Sequence, residues 1–211
     1  MNPQRASFPF LYLSERLCLD FVNTELMDGD ERIEQLGTCD DLVSWAVGAG
    51  LLSRAQAHGL ASKGSAKAEG ERTLAEAVAL RSALRAMAER IASGAARVPQ
   101  RTLDAINHTL RIPAGSRAVV HTARGYEMAY RDRFSEPVHV LVPIAESAAG
   151  LLTSDDLALV RKCQNPQCIL YFYDTTRNHA RRWCSMAVCG NRAKVASHYR
   201  RVRQGRQNGE P

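Results

Sequence analysis

Four cysteines near the C-terminal end carry the clearest chemistry in this chain of 211 residues. Cys163, Cys168, Cys184 and Cys189 form the pattern C-x4-C-x15-C-x4-C, which is two pairs of equal internal spacing separated by a short loop. Because each pair fits on a tight turn, both of its sulfurs can point at one ion. Thiolates suit zinc, and four protein ligands leave no open coordination position. The pattern therefore predicts a structural zinc site rather than a catalytic one.

Two disulfides, buried thiols without a metal and an iron–sulfur cluster are the alternative interpretations of these cysteines. Disulfides fit poorly with the cytoplasmic protein that we expect, because the N-terminal sequence MNPQRASFPFLYLSERL lacks the long apolar stretch and cleavage site of a signal peptide. No apolar run approaches the ~18–20 residues that span a membrane. The other two cysteines, Cys18 and Cys39, have no partner pattern, so we expect them to be core thiols.

Positive charge is concentrated in the same part of the chain as the paired cysteines. Residues 1–160 carry 17 Lys/Arg and 20 Asp/Glu, whereas residues 161–211 carry 11 Lys/Arg and two acids, Asp174 and Glu210. All of the excess behind the net charge of +6 therefore lies in the C-terminal segment. Such clustering favours a polyanionic partner. A solvated basic face and an acidic protein partner are the alternatives.

The sequence after Cys189 reads GNRAKVASHYRRVRQ and predicts a basic C-terminal helix. Val195, Tyr199 and Val202 share one helical face, which we expect to pack on the zinc module and to leave a cationic face outside. Such a face suits phosphate contacts, although charge alone does not separate DNA from RNA. The predicted nucleic-acid contacts are Arg177, Arg181, Arg182, Arg192, Lys194, His198, Arg200 and Arg201.

The first 160 residues must supply the scaffold for this site, and their periodicity is mostly helical. Apolar residues recur at three- and four-residue steps over about 65–93, after Pro99 and over 138–152. Thr38 opens a capping box with Asp41 in place of the usual Glu, and Ser53 can cap a second short helix. β-Branched and aromatic residues around Ala123-Arg124-Gly125 predict a β-hairpin near 117–134.

The segment LCLDFVNTE near the N-terminus holds the most distinctive cluster of polar residues outside the cysteine region. Leu17, Phe21, Val22 and Glu25–Leu26 space as one helical face, although LCLDFV would also suit a short buried strand. Asp20 and Asn23 are candidate ligand-binding residues, but the usual behaviour of polar groups in cores favours a role in helix capping and packing. An enzyme would use these two residues with Glu25, His58, His108, His121 and His139. Residues 1–160 contain no nucleophile elbow, phosphate loop or metal-binding His/Glu pair, which argues against catalysis.

The sequence WCSMAVCGNRAKV, with the upstream C-x4-C and YFYDTTRNHARR, resembles the CGNR zinc-finger family, in which the finger follows an N-terminal ABATE domain. LCLDFVNTE is similar to the opening motif of that domain, and VLVPIAESAAGLL with TSDDLALVRKC is similar to its approach to the finger. The resemblance covers nearly the whole chain and is most specific over 163–195. It implies that the four paired cysteines bind zinc, that Gly190, Asn191 and Arg192 are the family signature, and that the chain is a bacterial, stress-related transcription regulator. It implies no catalytic residue.

The predicted fold class is mainly α with a small β-hairpin, an α+β arrangement of a multihelical N-terminal domain and a four-cysteine zinc finger. The predicted boundaries are 1–158 for the ABATE-like domain, 159–204 for the finger with its basic helix, and 205–211 for a disordered tail. The predicted function is DNA-binding transcription regulation without enzymatic activity, in which the N-terminal domain senses a small-molecule effector or forms a homodimer. The alternatives are a zinc-dependent protein-interaction or RNA-binding module and, with less support, an enzyme that uses the N-terminal domain.

Overall fold

Helices form most of the scaffold. The computed structural model describes residues 9–63, 67–95, 97–132, 134–195 and 199. The helices are α1 (Leu17–Val22), α2 (Cys39–Gly48), α3 (Arg54–Lys63), α4 (Lys67–Ala92), α5 (Gln100–Leu110) and α6 (Leu141–Ser154). The strands are β1 (Glu25–Asp28), β2 (Glu31–Glu34), β3 (Gly115–Thr122), β4 (Gly125–Asp132), β5 (Val160–Lys162) and β6 (Tyr171–Tyr173). A further helix, α7, is described over 191–195. The predicted class, mainly α with small β elements, is confirmed.

Side-chain caps set the starts of two helices, as predicted. The Thr38 hydroxyl accepts a hydrogen bond from the Asp41 backbone N–H at 3.1 Å, and the Asp41 carboxylate accepts one from the Thr38 N–H at 2.8 Å. This reciprocal pair satisfies backbone donors that the first turn of α2 leaves without an intrahelical partner. The Ser53 hydroxyl accepts from the Gln56 N–H at the start of α3 in the same way.

One apolar core joins α1, α2, α4 and α6. Trp45 of α2 and Phe21 of α1 are fully buried, and their rings meet edge to face with centroids 5.1 Å apart. Met87 of α4 and Leu151 of α6 are also fully buried in this cluster. Cys18 lies in the same core, where burial raises the pKa of its thiol to about 11. This thiol is therefore a core residue, as expected.

The described strands form three antiparallel ribbons of two strands each. The predicted hairpin is β3–β4, in which Thr122 pairs with Gly125 across an Ala123-Arg124 loop. Gly125 has φ 111°, a conformation that glycine adopts without steric cost. Val119, Tyr126 and Met128 lie on this hairpin with large exposed fractions.

The predicted helical face through Glu25–Leu26 is wrong, because α1 ends at Val22 and the chain continues as β1. Glu25 pairs with Glu34 and Leu26 pairs with Ile33 in the β1–β2 ribbon. The turn that joins the two strands includes Gly29, at φ 58°. Leu26 and Ile33 are thereby placed in a second, smaller core that also contains the four paired cysteines.

Two arginines on α4 hold this ribbon and the C-terminal segment against the helices. Arg81 donates to the Thr24 hydroxyl at 2.9 Å and to the Glu34 carboxylate. Arg85 donates to the carbonyls of Val22 and Ile169, and it forms a 2.9 Å ion pair with Glu25. Burial lowers the pKa of Arg85, and the Glu25 carboxylate opposes that shift. Both guanidinium groups are therefore engaged in contacts within the protein.

The N-terminal arm, residues 9–14, lies against both cores. The Tyr12 hydroxyl donates to the Trp45 carbonyl at 2.8 Å, and Leu11 packs on the second core. The Tyr12 ring passes directly over Gly48, where a Cβ atom would overlap the hydroxyl and would lie 2.7 Å from ring carbon Cζ. A side chain at position 48 would therefore displace the Tyr12 ring from its place in the arm.

Gly48→Ala should destabilise the protein by about 1–3 kcal/mol, because the added methyl group overpacks the site and displaces Tyr12. Gly150→Ala on α6 is the matched control, since no atom lies within 4 Å of its Cβ position. The control should be neutral or stabilising by up to about 1 kcal/mol, because alanine favours helices more than glycine does. Urea unfolding monitored by tryptophan fluorescence measures both values. Equal stability of the two variants would show that Tyr12 does not occupy this site.

Candidate metal centre

Four cysteine sulfurs converge at the end of the β5–β6 ribbon. The sulfurs of Cys163, Cys168, Cys184 and Cys189 all lie within 4.8 Å of one another, and all four cysteines are free thiols. The Cys168–Cys184 and Cys184–Cys189 sulfurs are 3.8 and 3.6 Å apart. Zinc–sulfur bonds of about 2.3 Å in a tetrahedron place neighbouring sulfurs about 3.8 Å apart. The cluster thus fits one zinc ion. Because all four thiols are free, the structure does not have the two disulfides of the alternative interpretation.

The first cysteine pair is positioned by the β5–β6 ribbon. The Cys163 N–H donates to the Leu170 carbonyl at 2.9 Å, which extends the ladder beyond the last strand pair. The Cys168 N–H donates to the Asn165 carbonyl at 2.9 Å and closes the loop between the cysteines. Backbone N–H groups of Asn165 and Leu170 also bond the Cys163 and Cys168 sulfurs. Both sulfurs therefore face the same side of one tight loop.

The second cysteine pair is held by a compact helical turn. Cys189 lies in a π-helical turn over Met186–Gly190 that continues into α7. The Cys184 N–H donates to the Cys163 sulfur, and the Asn165 side-chain amide donates to the Cys189 sulfur, both at 3.4 Å. These bonds orient sulfurs of the second pair toward those of the first.

Hydrogen bonds between the thiols shift the pKa values of Cys163, Cys168 and Cys184 in different directions. Hydrogen bonds donated by Cys168 and then Cys184 lower the pKa of Cys163. The pKa values of Cys168 and Cys184 are raised instead, chiefly because each donates its proton to Cys163. Zinc binds thiolates, so a bound zinc ion would displace these protons and take their place between the sulfurs. The zinc would hold the fold of the segment and would supply no reactive position.

Arg181 is an internal clamp in the structure, although it was among the predicted nucleic-acid contacts. Its guanidinium donates to the carbonyls of Leu13, Trp183 and Cys184 at 2.9, 3.1 and 2.6 Å. It also lies 4.3 Å from the centre of the Phe172 ring. These contacts tie the second cysteine pair to the N-terminal arm, so the Arg181 guanidinium is hydrogen-bonded within the protein.

Asn23 joins the ribbon of the metal site to α1. Its side-chain oxygen accepts from the Tyr171 N–H at 3.0 Å, and its side-chain nitrogen donates to the Tyr171 carbonyl at 2.8 Å. The same nitrogen donates to the Ser14 hydroxyl at 2.7 Å. Asp20 accepts hydrogen bonds from the backbone N–H groups of Leu13 and Ser14 at 2.8 and 2.9 Å. Both candidate ligand-binding residues thus make the structural contacts that the alternative interpretation favours.

Asp174 is a structural residue that the sequence analysis named only as one of the two acids of the C-terminal segment. It is fully buried, and its carboxylate accepts from the Thr176 hydroxyl and N–H and from the Arg181 N–H. Burial raises the pKa of Asp174, but these hydrogen bonds outweigh it, so the pKa lies below its ordinary value. The sequence held one signal for this internal role. Asp174 is the only acid between residues 161 and 209, a segment rich in Lys and Arg.

The remaining predicted contacts divide into exposed residues and residues outside the description. Arg177, Arg182, Arg192 and Lys194 are exposed on the metal-site segment. His198, Arg200 and Arg201 lie outside the described residues. The predicted packing stripe on α7 is wrong where it is described, because Val195 and Tyr199 are 55% and 70% exposed. The smaller core is filled instead by Leu26, Ile33, Leu170 and Phe172.

Two family models match the sequence of this chain. The sequence model described as "ABATE: Putative stress-induced transcription regulator" matches residues 15–155. The chain belongs to the ABATE family. The CGNR zinc finger model matches residues 160–202, directly after the ABATE domain. The predicted resemblance and the predicted use of zinc are therefore confirmed. No curated protein matches the chain.

The two family matches describe a regulator and a zinc finger, and neither is an enzyme family. Among the described residues, no helix is both long enough and apolar enough to cross a membrane. The ABATE domain and the CGNR finger share hydrogen bonds, since Asn23 and Arg85 of the domain contact Tyr171 and Ile169 of the finger. Val160, Tyr171 and Tyr173 of the finger pack in the larger helical core.

Removing one cysteine of the cluster should remove the metal. Wild-type protein should bind one zinc per chain, whereas Cys184→Ser should retain less than a tenth, because zinc binding by such sites is worth about 10–16 kcal/mol and needs its full ligand set. Cys39→Ser is the matched control, since Cys39 is half-buried and lies outside the cluster. Metal analysis of purified protein measures the ratio. Full zinc content in Cys184→Ser would contradict a four-sulfur site.

Asn23→Asp should destabilise the junction by about 1–3 kcal/mol or more, because a carboxylate cannot donate to the Tyr171 carbonyl or the Ser14 hydroxyl and would place a buried negative charge beside that carbonyl oxygen. Asp20→Asn is the control, since its side-chain carbonyl can still accept from the arm. Hydrogen exchange at the Tyr171 and Tyr173 amides, with thermal unfolding, measures the effect. Unchanged exchange in Asn23→Asp would show that this amide does not hold the finger.

Proposed function

We propose that this protein is a transcription regulator that binds DNA through its CGNR finger. The observation that carries the proposal is a set of exposed cations without acidic partners on a metal-stabilised scaffold. Among the described residues, Arg177, Arg182 and Arg192 form no ion pair with a carboxylate. Asp174, the one acid within the described finger residues 160–195, points into the fold and is hydrogen-bonded there. The surface is thus available for an external anion.

Arg182 and Arg192 share one concave surface, which favours a role in holding a nucleic-acid backbone. Both residues line a concavity of about 510 Å³ together with the polar side chains of Gln164, Asn165 and Gln167. Arg182 also lies over the Trp183 ring at 5.1 Å and donates to Gln164 at 2.7 Å, so its guanidinium is oriented. Arginine and amide side chains at one surface supply both charge and hydrogen bonds for phosphate contacts.

The zinc site supports this surface without contacting DNA itself. The four sulfurs are held in the interior of the finger, and Arg182 and Arg192 lie close in sequence to Cys184 and Cys189. A tetrathiolate zinc site is closed, so its expected contribution is to fix the loops that carry the arginines. The predicted division at residues 158 and 159 belongs to this proposal, with the ABATE domain as the regulatory part and the finger as the DNA-contacting part.

Binding to duplex DNA should fall steeply with salt and should depend on the exposed arginines. Arg192→Ala and Arg182→Ala should each weaken binding and reduce the slope of log K against log salt by about 1, as expected for one lost phosphate contact. Arg124→Ala in the hairpin loop removes an exposed arginine far from the finger in sequence, and it should change neither value. Fluorescence anisotropy with a random duplex over a salt series measures these slopes.

Three outcomes separate DNA binding from the alternative functions. Absence of duplex binding by the zinc-loaded protein at low salt would overturn the proposal. Tighter binding to single-stranded RNA than to duplex DNA would favour an RNA-binding module. Tight binding to a polyglutamate peptide that excess duplex DNA does not displace would favour an acidic protein partner. Equal slopes for Arg192→Ala and wild type would also count against the surface described above.

A homodimer is part of the proposal because one small finger offers few base contacts, whereas two linked fingers raise the affinity for paired half-sites. Sedimentation equilibrium of the zinc-loaded protein, with and without DNA, distinguishes a monomer from a dimer. We assign no catalytic role to any residue.

A further inference from the structure

An apolar pocket lies between the ABATE domain and the CGNR finger, beside the zinc site. Its volume is about 300 Å³, which is at the lower end of the range of roughly 300–1,000 Å³ typical of small-molecule sites. Leu11 and Leu13 of the N-terminal arm, Leu26 and Met27 of β1, and Leu170 and Val188 of the finger supply its apolar walls. None of these six apolar residues lines the concavity that holds Arg182.

The polar side chains of this pocket lie mostly on the finger. Arg192, Asn165, Gln167 and Ser185 line it there together with Cys168, Cys184 and Cys189 of the metal cluster, and Asp28 lines it at the end of β1. Arg192 is the one cationic side chain of this lining. Within the described part of the chain, Arg192 and Asp28 form no ion pair with each other or with another residue. A guanidinium without a carboxylate partner beside apolar walls favours a ligand that has an apolar body and an anionic end.

We infer that this pocket binds a small apolar carboxylate, with the carboxylate at Arg192 and the hydrocarbon against Leu26, Met27 and Val188. A water-sized unit occupies about 30 Å³, so the pocket holds about ten non-hydrogen atoms. Octanoate has this size and these two properties. Arg192 is favoured over Asp28 as the charged determinant because its planar guanidinium can bind a carboxylate through two hydrogen bonds, with the amides of Asn165 and Gln167 nearby.

The position of Arg192 gives this site a regulatory consequence, which rests on the proposed DNA-binding function. Arg192 lines both the apolar pocket and the basic concavity that it shares with Arg182. A guanidinium bound to a carboxylate in the pocket is not available to a phosphate. Occupation of the pocket and binding of DNA should therefore oppose each other, and by thermodynamic linkage each should weaken the other by the same factor.

Binding of octanoate to the zinc-loaded full chain, measured by isothermal titration calorimetry without DNA, tests the site. Wild type should bind octanoate at least tenfold more tightly than octan-1-ol or octylammonium. Arg192→Ala should weaken octanoate binding about tenfold or more and should leave octanol unchanged. Arg182→Ala removes the same charge from the finger outside this pocket and should not change octanoate binding. Asp28→Asn should leave octanoate binding unchanged or tighten it.

The opposite results would overturn the inference. These are no octanoate binding at millimolar concentration, equal binding by wild type and Arg192→Ala, or tighter binding of octylammonium than of octanoate. Val188→Trp places a large side chain at the exposed edge of the pocket, and it should abolish binding while zinc content stays at one per chain. Retained octanoate binding in Val188→Trp would place the ligand elsewhere.

A separate measurement distinguishes failure of this site from failure of the proposed function. Saturating octanoate should weaken duplex DNA binding by wild type and should have no effect on the residual binding of Arg192→Ala. A protein that binds octanoate through Arg192 but binds no duplex would keep the pocket and overturn the DNA proposal. A protein that binds duplex but not octanoate would overturn the inference about the pocket and keep the DNA proposal.

Discussion

The fold of the finger depends on the paired hydrogen bonds between the Asn23 amide and the main chain of Tyr171. A three-residue strand with one neighbouring strand is too small to be stable alone, and Asn23 bonds the edge of β6 as a further strand would. Ser14 continues this role, since its carbonyl accepts from the Tyr173 N–H at 2.9 Å. The ABATE domain and the finger are thereby joined through buried backbone contacts.

The zinc site and this junction constrain the same end of the β5–β6 ribbon, because Tyr171 pairs with Lys162 and directly follows Leu170, whose carbonyl accepts from the Cys163 N–H. Among the described residues, the smaller core contains one fully buried aromatic ring, that of Phe172 in β6. Metal binding of about 10–16 kcal/mol compensates for such limited apolar burial in small modules. The junction at Tyr171 fixes where the module lies, and the four sulfurs fix the loops around it. The apolar pocket occurs where these two constraints meet the N-terminal arm.

The arginines of this chain have two distinct physical roles. Arg81, Arg85 and Arg181 donate to carbonyl and carboxylate groups inside the protein, where they satisfy acceptors that strand and loop ends leave open. Arg182 and Arg192 lie at the surface of the finger. Charge counts treat all of them alike, which is why Arg181 was predicted beside Arg182 as a nucleic-acid contact. Only the positions of the neighbouring carbonyls separate the two roles.

The sequence by itself determined the zinc cluster, the capped helices and the β-hairpin, because ligand spacing, capping boxes and strand alternation are local patterns. The tertiary structure decided the rest. Strand β1 replaced the predicted helical face because Leu26 and Ile33 are buried against the finger, which is distant in the sequence. Asp20 and Asn23 gained their roles from the arm and from Tyr171, whose approach no local pattern encodes. Long-range contacts depend on the whole packed chain, and periodicity within one segment does not report them.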